Sequence, residues 1–235
     1  MNHRLKAFYN ASGVHPTTDP SDDRSQFAVA PFLDIFSALI RPGMRALDLG
    51  CNAGRFTFAM ASQGAIATGI DYALVPLRHA RKVAAESKFG CTFNLGDIAH
   101  LPYRSDAFDL VLIPNNIVEH SYDTFDSLCR QLVDILKDDG LFVVTMHDEL
   151  VKRIGQDSYT DNYDVFTGVS GGQSTIPGKG TFDNPGHFWT VAFAKYVIGQ
   201  YFSLIDEEHV ADNRWLLVFR NNLLERSVAN FVATI

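Results

Sequence analysis

Cysteine is scarce in this chain, and what there is does not pair: Cys51, Cys91 and Cys129 are far apart, odd in number and set among apolar residues. That argues against a disulfide framework or a clustered zinc site and reads as three buried thiols in a reducing compartment. No apolar run approaches the roughly eighteen residues that span a bilayer. The opening Met1-Asn2-His3-Arg4-Leu5-Lys6 lacks the apolar core of a secretion signal, so a cytoplasmic location is expected. Basic charge is also short, with 20 Lys and Arg against 27 Asp and Glu and a formal charge of −7. A nucleic-acid backbone as main partner needs clustered cations. The densest group, Arg78, His79, Arg81 and Lys82, falls on one predicted helix and reads as a solvated face. No internal repeat is visible, and 235 residues with 46% hydrophobic content suit one globular domain with a large core.

The chain is organised around Arg45 to Asp71. A short apolar run, Ala46-Leu47-Asp48-Leu49, meets the turn Gly50-Cys51-Asn52-Ala53-Gly54; a helix follows, and a second run ends on Asp71. This is a βαβ unit with its loop and acid at the strand ends, where open α/β sheets hold ligands. Glycines permit the sharp turn and close backbone approach, and asparagine tolerates positive φ. Asp71 follows Gly50 at about the spacing at which an acid meets a ribose, which points to a nucleoside cofactor. A dinucleotide fingerprint is missing, because Asn52 and Arg55 stand where G-x-G-x-x-G needs glycine.

The loop D-L-G-C-N-A-G resembles instead the first motif of the class I S-adenosylmethionine-dependent methyltransferases, an acid followed by G-x-G-x-G, with Asn52 in place of the middle glycine. The resemblance covers roughly Arg45 to Met146. It implies S-adenosylmethionine as cofactor, held by Asp48, Gly50, Cys51, Asn52 and Gly54 along the loop, with Asp71 and its neighbour Tyr72 at the ribose. A second phrase, Gly96-Asp97-Ile98-Ala99-His100-Leu101-Pro102-Tyr103, resembles the family's G-D-x-x-x-L-P-F. It implies Asp97 and the Ile98 amide at the adenine, whose donor and acceptor a carboxylate and an N–H would match; an Asp that only caps the loop is the plainer alternative. Lys137-Asp138-Asp139-Gly140-Leu141-Phe142 resembles the family's run into its fifth strand. The implied fold is a doubly wound α/β sheet of seven mostly parallel strands with helices on both faces.

Taken in order, residues 1–42 read as an arm and a helix, with Pro31 expected in a first turn or at a break. Residues 43–146 form the cofactor half. Residues 147–186, rich in Gly, Ser, Thr and Asp with interspersed aromatics, read as a lid-like insertion. Residues 187–235 read as a helix opening at His187 and a strand hairpin, with a tail from Leu223 that is helical or strand-like.

The fourth strand ends before Asn115-Asn116-Ile117-Val118-Glu119-His120, a turn expected beside the transferable methyl group, with Asn115 at the cofactor. His120 is the first candidate base and His187 the second, with His147 behind them, since imidazole titrates near neutrality. The alternative for His120 is a histidine that only bonds the backbone at a helix start. Asn116 to His120 also resembles a magnesium-holding E-x-x-E-H phrase, but the first acid is Asn116, and losing a carboxylate weakens a hard-cation site; no metal is expected. The expected function is methyl transfer to a hydroxyl or amine of a small metabolite. The rivals are an RNA-modifying methyltransferase and a methyltransferase-fold module that binds without chemistry.

Overall fold

The computed structural model of the chain describes residues 10, 23–87, 89–114, 122–147, 169–176, 180–187, 191–211 and 214–222. Its elements are α1 (Asp23–Leu39), β1 (Arg45–Leu49), α2 (Arg55–Ser62), β2 (Ile66–Asp71), α3 (Leu74–Glu86), β3 (Cys91–Leu95), β4 (Phe108–Pro114), α4 (Tyr122–Ile135), β5 (Leu136–His147), β6 (Val169–Ile176), β7 (Gly180–His187), α5 (Val191–Ile198), β8 (Ser203–Ala211) and β9 (Arg214–Arg220).

β4 is apolar and buried at every position but Asp109, as a strand covered on both faces must be. It lies mid-sheet in a seven-stranded order β3-β2-β1-β4-β5-β9-β8. The first five strands run parallel, and β9 pairs antiparallel with both β5 and β8. This is the expected architecture. The chain turns from building one half to building the other between β1 and β4, and such a switch opens a crevice at the carboxyl ends of the strands.

Alternation along the strands sorts side chains into two layers. Leu47, Val111, Phe142 and Leu217 join α4 and α5 in one core, with Phe125, Leu132, Val197 and Ile198 among the buried helix residues. Ala46, Leu112, Val143 and Val218 face the opposite layer, where Phe32 and Phe36 of α1 and Phe56 of α2 meet. The Phe56 ring stands edge-on to Phe32 and Phe36, with centroids 5.8 and 5.9 Å away. Phe32, Phe36, Phe125, Phe142, Phe202 and Phe219 are all fully buried; truncating such a side chain to Ala costs about 3–5 kcal/mol.

Several local expectations need correction. Pro31 lies inside α1, eight residues from its start, rather than in a first turn; the helix continues with one backbone donor fewer, its other turns and the Phe32 and Phe36 packing holding it. The 147–186 segment contains a separate two-stranded antiparallel sheet of β6 and β7. His187 ends β7, and the helix opens later, at Val191. The arm residues 1–9 and 11–22, the whole of 148–168, and the tail from 223 lie outside the described residues.

Candidate functional site

The loop after β1 turns through three positive-φ residues: Gly50 at 69°, Asn52 at 49° and Gly54 at 90°. The amides of Gly50 and Cys51 both donate to the Ile70 carbonyl, at 2.8 and 3.1 Å, and the Gly54 amide returns to the Cys51 carbonyl at 2.8 Å. Asn52 takes the left-handed conformation that this residue type tolerates better than most. Its Oδ1 accepts the Ala53 N–H at 2.9 Å. The substitution for glycine is thus accommodated locally.

Folding the loop this way turns its amide onto the acid at the end of β2. Asp71 Oδ2 accepts the Asn52 N–H at 2.8 Å, and Oδ1 accepts the Ala73 N–H at 2.7 Å. Its side chain is buried, which pushes the carboxyl above its ordinary range against the downward pull of the Ala73, Asn52 and Tyr72 amides. Asp71 therefore holds the loop together at the carboxyl end of β2. A strand-end acid would be expected to matter little to the fold, but here its removal strips the acceptor from two amides.

Two glycines are required by close approach. A Cβ on Gly54 would lie 2.6 Å from Phe93 Cζ, and one on Gly69 would lie 2.7 Å from Cys51 Sγ and 2.8 Å from Thr57 Oγ1. Gly69 was not picked out from the sequence, although a glycine inside a strand is a signal of close backbone approach. Thr57 was missed too. Its hydroxyl donates to Asp48 Oδ2 at 2.6 Å across a fully buried contact. Asp48 Oδ1 accepts no hydrogen bond among the described residues. Burial pushes this carboxyl up to about 7, against the Thr57 hydrogen bond and the nearby Arg55 charge. Cys51 is buried and free, its thiol pushed well up by burial.

At the end of β3, Gly96 donates to the Asp71 carbonyl at 2.9 Å, carrying the chain to Asp97. Asp97 is half-buried; its Oδ1 accepts the Ala99 N–H at 3.0 Å, so it does cap its loop, and Ile98 is buried beside it. A carboxylate offers about four acceptor positions, which leaves room for a ligand donor. Asn10 enters the same edge, its Oδ1 accepting the Val75 N–H at 3.1 Å in the first turn of α3.

The structure thus brings Asp48, Gly50, Cys51, Asn52, Gly54, Asp71, Tyr72, Asp97 and Ile98 to one edge of the sheet. Asn115, Glu119 and His120 lie outside the described residues. The backbone of His147 ends β5 opposite Arg214, and that of His187 ends β7 opposite Val169. No group of three or more His, Cys, Asp or Glu side chains able to hold a metal occurs among the described residues. A cleft of about 450 Å³, lined by residues such as Arg41, Asp109, Lys137 and Arg220, opens at the opposite, amino edge of the parallel strands and has no part in this site.

Residues 40–182, more than half of the chain, match the family described as methyltransferase domain. A protein named ubiquinone biosynthesis O-methyltransferase from Chelativorans sp. (strain BNC1) is 30% identical over 113 residues, which cover 48% of this chain and 44% of that protein. Less than half the length of this relative is therefore matched. Among solved structures, the PH0226 protein from Pyrococcus horikoshii OT3 superposes with a TM-score of 0.76 at 21% identity, covering 88% of this chain and 96% of that one. A structure titled as SAM-dependent methyltransferases from Methanosarcina mazei gives 0.68 at 14% identity, covering 80% and 97%. These likenesses establish the shared fold.

Proposed function

We propose that this chain, which belongs to the methyltransferase domain family, binds S-adenosylmethionine at the Gly50–Gly54 edge and methylates an oxygen of a small molecule. The observation that carries the cofactor reading is Asp71: a strand-end carboxylate held by the Asn52 amide of the loop at 2.8 Å and by the Ala73 amide at 2.7 Å, beside three positive-φ residues. Its oxygens accept the Asn52 and Ala73 amides and keep acceptor capacity for a ribose hydroxyl. Asp97 and the Ile98 amide would take the adenine edge, and the side-chain-free turns at Gly50 and Gly54 let the ligand lie against backbone. The relative named as an O-methyltransferase favours oxygen over nitrogen in the acceptor.

When bound, S-adenosylmethionine supplies a methyl group already activated on a sulfonium. The protein's share is therefore positioning and, for an unactivated hydroxyl, removal of its proton. His120 is proposed for that proton, with His187 second, while residues 147–186 and the N-terminal arm would cover the acceptor. Asn10 at the start of α3 supports the arm's part in this.

Isothermal calorimetry tests the cofactor reading. S-adenosylmethionine should bind at one site, and Asp71→Asn should weaken it at least about tenfold, the loss of one charge-assisted hydrogen bond. Asn is preferred to Ala because it keeps an acceptor for the loop, whereas Ala leaves two amides bare at about 1–3 kcal/mol each. Unchanged affinity would remove Asp71 from the site, and tighter binding of NAD would overturn the cofactor.

A further inference from the structure

Asp48 and Asp71 stand at the ends of adjacent strands but are solvated by the protein very differently. Asp71 accepts backbone N–H groups on both oxygens. Asp48 is 0% exposed, takes the Thr57 hydroxyl on Oδ2 with the Thr57 backbone amide nearby, and has nothing on Oδ1 among the described residues. A buried carboxylate with one bare oxygen is costly, and such a group lowers that cost by keeping its proton. The charged groups around it work in both directions: Arg55 at the start of α2 favours ionisation and Asp71 opposes it, while Arg214 on β9 faces Arg55. The buried Cys51 thiol beside it is held un-ionised in turn.

We propose that Asp48 carries a proton in the ligand-free protein and releases it to solvent when a cationic ligand settles over the Gly50–Gly54 loop. The inference rests on the cofactor reading above. Asp48 is two residues before Gly50, so a charge laid on that loop acts on it through protein rather than water, where attraction is strong. S-adenosylmethionine carries a sulfonium and S-adenosylhomocysteine does not. The substrate form should therefore drive the release and the product form should not. Burial pushes the Asp48 carboxyl to about 7, so the release should be about half a proton at pH 7, near one at pH 6 and negligible above pH 8.

Calorimetry of the wild-type protein in buffers of different ionisation enthalpy measures this directly. The apparent enthalpy for S-adenosylmethionine should change with buffer at pH 6, and that for S-adenosylhomocysteine should change much less. Affinity for the first should fall up to about tenfold per pH unit below 7. Asp48→Asn should bind without buffer dependence, and a variant that still releases a proton overturns the assignment. Carboxyl carbon NMR of the ligand-free wild type gives a second readout, in which Asp48 should titrate near neutrality; titration in the ordinary carboxylate range overturns the proposal. Buffer-independent binding, or equal release by both ligands, overturns it while leaving the cofactor reading intact. No binding of S-adenosylmethionine at all overturns that reading instead.

Discussion

At Gly54 two costs of adding a methyl group coincide. Its φ of +90° is left-handed, and a Cβ would meet the Phe93 ring at 2.6 Å and the Phe58 ring at 3.0 Å. Gly43 has a similar φ of +84° with nothing within 4 Å, so it carries only the first cost. Gly43→Ala should cost about 1–2 kcal/mol in urea denaturation, and Gly54→Ala about 1–3 kcal/mol more from overpacking. Equal losses would mean that the rings move aside freely. Asp48 adds a pH signature. Its carboxyl is raised in the folded state, so between the unfolded value near 4 and about 7 the folded protein holds a proton that the unfolded chain has lost. Stability must then fall as pH rises across that window, by at most about 1.4 kcal/mol per unit from this group, and flatten above it. The difference between wild type and Asp48→Asn isolates this component from Asp71, which shifts in the same direction; a parallel pair of curves would refute it. Gly50, Gly54 and Asp71 were legible because they are neighbours in a motif. Thr57 and Gly69 were not, since their roles arise where α2 and the loop press onto β2, a proximity that only the folded sheet creates.

Among the elements, the strands of the main sheet were legible in sequence, the clearest being β4, an apolar run buried on both faces. β6 and β7 escaped because Val-Ser-Gly-Gly-Gln-Ser-Thr-Ile and Gly-Thr-Phe-Asp-Asn-Pro-Gly-His carry neither alternation nor β-branched density. The side chain that caps α4 was equally invisible, because it comes from beyond β9. Asn221 is fully buried, and its Nδ2 lies 3.1, 3.2 and 3.3 Å from the carbonyls of Val133, Leu136 and Lys137. Its backbone pairs with Asp139 and Gly140 at 2.9 Å each. One side-chain amide thus ties the last turn of α4, where a helix leaves carbonyls unpaired, to the start of β5. Asn221→Ala should cost about 2 kcal/mol or more by denaturant midpoint, because those carbonyls stay buried without a donor. Asn221→Asp should cost still more at pH 7, where a carboxylate would face the negative end of the helix, and less at pH 4, where it gains a proton. Identical losses for both variants at both pH values would reduce Asn221 to a space-filler.

At the scale of the molecule, the doubly wound sheet of seven mostly parallel strands followed from motif order, because each motif marks a strand end and parallel strands joined by helices wind in one hand. What the sequence left open was which partner a methyltransferase domain serves, and net charge bears on that directly. The chain carries a formal charge of −7, and Asp71 and Asp97 share the site's edge. A strand of RNA would have to approach against that field, whereas phosphate contacts normally supply most of such affinity and make it fall with salt. The chain should therefore show no measurable binding to single-stranded RNA in a polarisation assay at about 0.15 M salt, where exposed charges act over about 8 Å. With labelled S-adenosylmethionine and a small-molecule extract, the label should instead appear in products of low mass. His120→Ala should then lower turnover while leaving cofactor affinity nearly unchanged, as expected when an interaction made only in the transition state is lost. Tight, salt-dependent RNA binding together with label in RNA would transfer the function to the nucleic-acid alternative. Cofactor binding with no label in either pool would leave a module that binds without chemistry.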